Sequence, residues 1–500
     1  CALVGFIMLA GLSMSVGAQT APTGIPGPNV NIIGPTPDPA MVPDSTLKQK
    51  NEPLCAVRPD EPRQFFCAYN DYRGTDKPSI GDSWIGASMS RDEGLTWLSR
   101  LVPGFPNSPG SLNQAFAADP GVIAVPGMAL VNFLAASRAG NQPGGLYLQR
   151  WIELNKEDGF PWAYADTRQI SSGTAGQFRD KPAMLVTLAP KTNPPAAPLS
   201  LQLTVNGQPV TQKVAAGEIH VAYANFTGND PKDTSQIKYL KSSDYGNTWS
   251  HEVKLSESVA LNQGVALAAN GNTLVAVWRQ FDFNSNQPHS LVYAVSTDRG
   301  NSWSKPATLG PSFICPFDQL VGDTQFRTDA LPTIVSDGSR FFVFWAQRQG
   351  DCATGQSRIV YVSSTNGSNW GSQPAVLDNS IGTAGHQYMP AAFAAGGVVQ
   401  VVWYDTREDE YYPSGQPRLL EPFISDAVST NPGDVDANGI AFNRRHTADV
   451  YHLQIKGGIP QVAVKVSQYA KGTLFGLLDQ QLERNFVNPR LFQQGKTPFN

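Results

Sequence analysis

The chain has 500 residues, 16% of them charged, with 46 glycines, 39 prolines and a formal net charge of −4. That length holds a large core, and the Gly and Pro content favours many turns over long helices. The mildly acidic balance, without a Lys/Arg block, argues against a nucleic-acid or anionic-membrane surface. The first element is the apolar run CALVGFIMLAGLSMSVGA over residues 1–18, which ends in Val16-Gly17-Ala18. It fits a secretory signal cleaved before Gln19, being short for a bilayer span of roughly twenty residues. Export is expected, with no membrane span once the signal is removed. Residues 19–50 form a Pro-, Gly- and Asn-rich lead-in, and the segment 471–500 reads as a short helix followed by an extended tail.

Between them, over 51–470, six units of strands follow one another. First strands enter through NEPLCAV, ADPGVIAV, DKPAMLV, NQGVALAA, ALPTIVS and YMPAAFAA, with Pro53, Pro120, Pro182, Pro332 and Pro390 near their starts. Pro tolerates the first residue of a strand and little else inside a sheet. Second and third strands, such as FFCAYND then DSWIGASMS, or LVAVWRQ then HSLVYAVS, alternate apolar positions and are rich in Val, Ile, Tyr, Phe and Trp, which favours strands over helices. An insertion from about Thr187 to Ala216 contains LSLQLTVNGQPVTQKV, a hairpin turning at Asn206-Gly207.

A short pattern recurs after the third strands: SRDEGLTW from Ser90, SSDYGNTW from Ser242 and STDRGNSW from Ser296. Two eroded copies are SSTNGSNW from Ser363, with Thr365 in the Asp position, and NKEDGFPW from Asn155. Such a period marks a repeat architecture. Gly94, Gly246 and Gly300 take the positive φ of a tight turn. Ser90 with Asp92, Ser242 with Asp244 and Ser296 with Asp298 hydrogen-bond the turn's own backbone, while Trp97, Trp249 and Trp303 bury an aromatic face. The chain here resembles the sialidase-type β-propellers, whose Asp-box has this form and sits between the third and fourth strands of a blade. The resemblance implies an all-β, six-bladed β-propeller, with a further blade if the chain is truncated, and it places the boxes on the face opposite the active site.

Without Cys1, the cysteines are Cys55, Cys67, Cys315 and Cys352. An even set is compatible with disulfides in an oxidising compartment. Three pairings are open in principle; Cys55 and Cys67 fall on neighbouring strands of the first unit, and Cys315 and Cys352 flank the fifth. No C-x-x-C spacing marks a metal site. No cofactor is expected; Ca²⁺ held by Asp oxygens of the loops stays open, without a recognisable calcium pattern in any loop.

On the face opposite the boxes, loops carry many Arg and carboxylate residues, a combination suited to an acidic sugar. In sialidases, the resemblance implies, three arginines hold the sugar carboxylate, an Asp is the acid/base, and a Tyr paired with a Glu is the nucleophile. Guanidinium binds carboxylate in bidentate fashion, and a neutral Tyr attacks beside an anionic substrate without charge repulsion. By loop position those roles fall to Arg179, Arg327 and Arg407, to Asp71, and to Tyr388 with Glu408. The first blade departs from the family, because Lys50-Asn51-Glu52-Pro53 stands where an F-R-I-P-type motif is expected. Two functions therefore stay open: a secreted sialidase-like glycoside hydrolase acting on terminal acidic sugars, and a non-catalytic propeller that binds glycans or another surface ligand.

Overall fold

The computed structural model describes residues 32–33, 50–74, 82–137, 144–153, 162–173, 177–189, 194, 196–227, 234–257, 261–281, 289–311, 314–321, 326–378, 385–405, 449–456, 459–460 and 464–465. Residues 1–18, most of the lead-in, the eroded box from Asn155, the long loop after Asp405 and the tail 471–500 lie outside the described residues. Among those described, every regular element is a strand. The first sheet is β1 (Lys50–Val57), β2 (Phe65–Asp71), β3 (Trp84–Ser90) and β4 (Leu98–Leu101); the second is β5 (Phe116–Val125), β6 (Met128–Ala136), β7 (Gly145–Glu153) and β8 (Trp162–Ser172). The third opens with β9 (Gln177–Leu188), is interrupted by the hairpin β10 (Leu199–Val205) and β11 (Gln208–Val214), and resumes with β12 (Gly217–Thr227), β13 (Thr234–Ser242) and β14 (Val253–Lys254). The fourth is β15 (Leu261–Asn270), β16 (Thr273–Phe281), β17 (Ser290–Ser296) and β18 (Ala307–Thr308). A small hairpin follows, β19 (Gln319–Val321) and β20 (Phe326–Thr328). The fifth is β21 (Thr333–Ser336), β22 (Phe341–Arg348), β23 (Ser357–Ser364) and β24 (Ala375–Val376); the sixth is β25 (Gln387–Ala395), β26 (Val398–Asp405), β27 (Asp449–Lys456), β28 (Ile459–Pro460) and β29 (Val464–Lys465).

Each large sheet is antiparallel, and sequence neighbours pair except where the β10–β11 hairpin separates β9 from β12 and where β29 pairs with β27. The innermost strands β1, β5, β9, β15, β21 and β25 pack against one another in order. Second and third strands are covered on both faces: all nine residues of β6 and all seven of β3 are buried. The cause is face-to-face stacking, since one apolar layer lies between the first and second sheets, around Phe66, Trp84, Phe133 and Trp151. Similar layers separate the second from the third, the third from the fourth and the fourth from the fifth. This is a β-propeller.

Trp84, Trp151, Trp162, Trp278, Trp345 and Trp403 are fully buried in it. An indole burying about 200 Å² contributes roughly 5 kcal/mol before ordering costs, against about 1 kcal/mol for a net hydrogen bond. Inter-sheet packing therefore outweighs any single turn. The β10–β11 hairpin joins the same core: Leu201, Leu203 and Val205 are buried while Gln202 and Thr204 alternate outward, and Asn206 and Gly207 turn it with φ of 51° and 78°.

Between third and fourth strands lie the repeated turns. Ser90 Oγ donates to Asp92 Oδ1 at 2.8 Å and accepts from Gly94 N at 2.9 Å; Asp92 accepts from Thr96 N at 2.9 Å and Thr96 Oγ1 at 2.6 Å. Ser242, Asp244, Gly246 and Thr248 repeat this set, as do Ser296, Asp298, Gly300 and Ser302. The copy after β23 is displaced by one residue from the sequence expectation. Ser364 donates to Asn366, and Asn366 accepts from Ser368 N, so these two, not Ser363 and Thr365, take the Ser and Asp places in a turn one residue shorter.

The first-strand prolines also sit differently from expectation. Pro53, Pro120, Pro182 and Pro390 lie within β1, β5, β9 and β25, each where the pairing register slips. A bulge frees the Pro nitrogen from the ladder, which is how a sheet interior accommodates it. Cys55 and Cys67 are register partners on β1 and β2 and form a disulfide; Cys315 and Cys352 form the second.

Candidate functional site

Connections from second to third strands, and from each sheet to the next, open on the face opposite the Ser-Asp turns. The bulges determine what converges there. The residue before each bulge proline has a left-handed backbone: φ is 50° at Glu52, 53° at Asp119, 44° at Lys181 and 49° at Met389. A residue preceding Pro ordinarily prefers extended φ, and left-handed non-Gly residues cost of order 1–3 kcal/mol each, a strain that collects at functional sites.

At three consecutive inner strands the strained residue is charged, and the three charges meet. Lys181 Nζ lies 3.3 Å from Glu52 Oε1 and 3.7 Å from Asp119 Oδ1. The cluster closes through backbone and amide: Lys181 N donates to Asp119 Oδ2 at 3.2 Å, Asp119 N to Asn70 Oδ1 at 2.9 Å, and Asn70 Nδ2 to Glu52 Oε2 at 3.2 Å. Two carboxylates thus share one ammonium in a half-open position, with side-chain exposures of 35% for Glu52, 15% for Asp119 and 22% for Lys181. Beside it, Gln263 Nε2 donates to the buried Asp180.

The residues assigned catalytic roles by loop position are spread over separate sheets. Asp71 ends β2 with its carboxylate fully buried against Arg73, whose Nε and backbone N–H donate to it at 2.8 and 2.9 Å. Arg179, on β9, is buried between sheets two and three. It donates to Ser171 Oγ at 2.8 Å, lies 3.7 Å from Glu252 and sits over the Tyr223 ring. Tyr388, on β25, is buried and stacks on Tyr404 at 5.5 Å. Arg327 is placed by its main chain on β20, with its side chain outside the described residues; Arg407 and Glu408 lie outside them altogether.

Two further clusters are not singled out by the sequence. Tyr223 Oη donates to Glu252 Oε1 at 2.5 Å, and Ser171 donates to the same oxygen. Burial raises the Glu252 carboxyl, but those two donors and the Arg179 charge outweigh it and hold it below the usual range. Burial drives the Tyr223 phenol up, with the Glu252 carboxylate adding to the effect. Between sheets four and five, Arg279 is fully buried and grips Asp318 with Nη1 and Nη2, while Nη2 also donates to His289 Nδ1 at 2.9 Å. The sequence signal for Glu52, Asp119 and Lys181 is a charged residue directly before Pro in three successive first strands. Asp318 and Glu252 have no local signal. Among the described residues, no three His, Cys, Asp or Glu side chains gather as a metal site, and no helix is long and apolar enough to cross a membrane.

No family model matches the chain, and no curated protein matches it. Solved structures resemble it at low identity. An alpha-L-arabinanase of Penicillium chrysogenum, complexed with arabinobiose, is 13% identical, with 76% of this chain and 93% of that one covered at a TM-score of 0.44. The alpha-L-arabinofuranosidase Arb93A of Fusarium graminearum is 12% identical over 76% of this chain and 93% of that one, TM-score 0.41. A Trypanosoma rangeli sialidase mutant displaying trans-sialidase activity is 13% identical over 76% of this chain and 56% of that one, TM-score 0.41.

Proposed function

We propose that the chain is an exported glycoside hydrolase whose substrate meets the Glu52–Asp119–Lys181 cluster. The observation that carries this is the convergence of two carboxyl groups and one ammonium from three strained bulges. Glycosidases cleave with a carboxyl pair, one protonating the leaving oxygen and the other acting as base or nucleophile. Glu52 and Asp119 would be that pair, with Asp119 also pinned by the Lys181 amide. Lys181 orients both. Two disulfides and the apolar run at residues 1–18 support export.

Action on terminal acidic sugars is the narrower form of this reading. It asks Arg179, Arg327 and Arg407 to converge on a carboxylate, whereas Arg179 is engaged by Ser171 and Glu252. Among the described residues the support is for the carboxyl pair; the side chain of Arg327, and Arg407 and Glu408 altogether, lie outside them. The second reading, a glycan-binding propeller without catalysis, is favoured by the buried Asp71–Arg73 pair and by the grip of the buried Arg279 on Asp318, in which front-face charges satisfy one another.

A panel of fluorogenic glycosides that includes an α-sialoside and an α-L-arabinofuranoside separates these readings. At least one substrate is expected to turn over, with Glu52→Gln and Asp119→Asn each lowering kcat by about 10²-fold or more. No turnover of any substrate, alongside retained binding to a glycan array, overturns the enzyme reading in favour of the second.

A further inference from the structure

The connection from sheet four to sheet five runs along the end of β22: Arg348 N donates to Cys315 O at 2.8 Å, and Pro316 bridges to Gln347. The Cys315–Cys352 disulfide staples that connection to the β22–β23 loop. Beside the staple is a cavity of 540 Å³ lined by His289, Asp318, Arg348, Pro316 and the disulfide. It belongs to the same face as the Glu52 cluster but to different sheets. We propose that this cleft is a second carbohydrate-binding subsite, which seats one monosaccharide unit through His289, Asp318 and Arg348.

The donor pattern follows from what lies behind the walls. Arg279 can only donate, so His289 Nδ1 accepts from it and the ring proton sits on Nε2. Burial, and then the Arg279 charge, hold His289 below its ordinary pKa and hence neutral. Asp318 is held by Arg279 and by Ala330 N at 3.0 Å, which fixes an acceptor at the wall. Arg348 donates to Gly355 O at 2.7 Å and lies over the Phe317 ring at 4.9 Å, so its guanidinium is preplaced. Donors on two sides, an acceptor on a third, and apolar faces from Pro316 and the disulfide match a ring that bears hydroxyls around its edge and C–H groups on its faces. The volume falls within the range of about 300–1,000 Å³ that small-ligand sites occupy. The ligand class rests on the carbohydrate reading above; the cleft does not.

The test is saturation-transfer NMR of the full chain with D-galactose, L-arabinose and N-acetylneuraminic acid as probes. In the Glu52→Gln/Asp119→Asn protein at least one sugar is expected to keep its signal. Adding Ala353→Trp, which fills the cleft mouth, is expected to cut that signal about tenfold, and Arg348→Gln alone should weaken binding should the Trp variant fold poorly. Loss of all signal in the first double variant, or signal unmoved by both cleft changes, overturns the proposal. If the wild type cleaves no glycoside yet the cleft changes abolish binding, the enzyme reading fails and the subsite stands.

Discussion

Asp71 and Arg73 show how a charged pair on the face opposite the Ser-Asp turns can serve the fold. Both side chains are fully buried, and Arg73 offers its guanidinium and its own amide to one carboxylate. Buried ion pairs add little net stability, but removing one partner strands the other charge at a cost of about 3–5 kcal/mol. Arg73→Ala is therefore expected to lower unfolding free energy by that amount in a denaturant titration. Replacing both residues with apolar ones of similar volume should cost far less. Equal losses from the single and double changes would show that packing, not a stranded charge, sets the penalty. Glu52, Asp119 and Lys181 differ in kind: partly exposed, strained, and bridged by a single ammonium. Gly300 marks the opposite face, where a Cβ would come 1.9 Å from Tyr239 Oη and the φ is 80°, so only glycine fits the turn.

Inner strands carry the link from sequence to site. Their apolar pattern and a Pro in five of the six are visible in the chain, and so is the charge before Pro53, Pro120 and Pro182. The left-handed φ is not visible, because residues before Pro favour extended backbone and only the surrounding sheet enforces the exception. The displaced turn at Ser364 and Asn366 is hidden for a related reason: one missing residue shifts every role while Gly367 and Trp370 keep their spacing. The grip of Arg279 on Asp318 spans 39 residues and depends on the path of a connection that periodicity does not describe. Within β1, the Cys55–Cys67 disulfide pins the register just beyond the Pro53 bulge and so helps to place Glu52. Closing a loop of 12 residues by a disulfide stabilises by about 3 kcal/mol in the chain-entropy account. A Cys55→Ala/Cys67→Ala protein should lose about that much by calorimetry, and the glycoside turnover proposed above should fall with it. A lowered melting temperature with unchanged rate would uncouple the bulge from the site.

Across the whole propeller, the response to acid is set by buried imidazoles before it is set by carboxylates. His220 sits between Thr187 on β9 and Tyr239 on β13, bonded at 2.8 and 2.7 Å, and burial lowers its pKa to about 4. His386 accepts from Ser357 N at 3.0 Å and stacks on Phe317; burial, then the charges of Arg348 and Arg358, bring it to about 3. Each ring ties strands of one sheet or joins adjoining sheets, so protonating it places a charge in a buried layer, and at His386 it also removes the acceptor that Ser357 N uses. In the unfolded chain these histidines titrate near 6.5. The unfolded state therefore binds more protons below that pH, and the stabilising contribution, complete above about 6.5, is lost as pH falls towards 4 for His220 and 3 for His386. The loss runs at roughly 1.4 kcal/mol per pH unit for each ring. Below it comes a second phase: the Ser-Asp turn carboxylates are held low by their hydroxyl and amide donors, Asp298 to about 2, so their contribution persists above the unfolded carboxylate range and fades only as pH falls through the folded value. Unfolding free energy measured from pH 7 to 3 should thus decline from about 6.5 downward, and a His220→Gln/His386→Gln protein should lose most of the slope between about 6.5 and 4, with His289, also held low by burial, supplying the remainder. A double variant that keeps the wild-type slope in that window would place the acid sensitivity on the carboxylates instead.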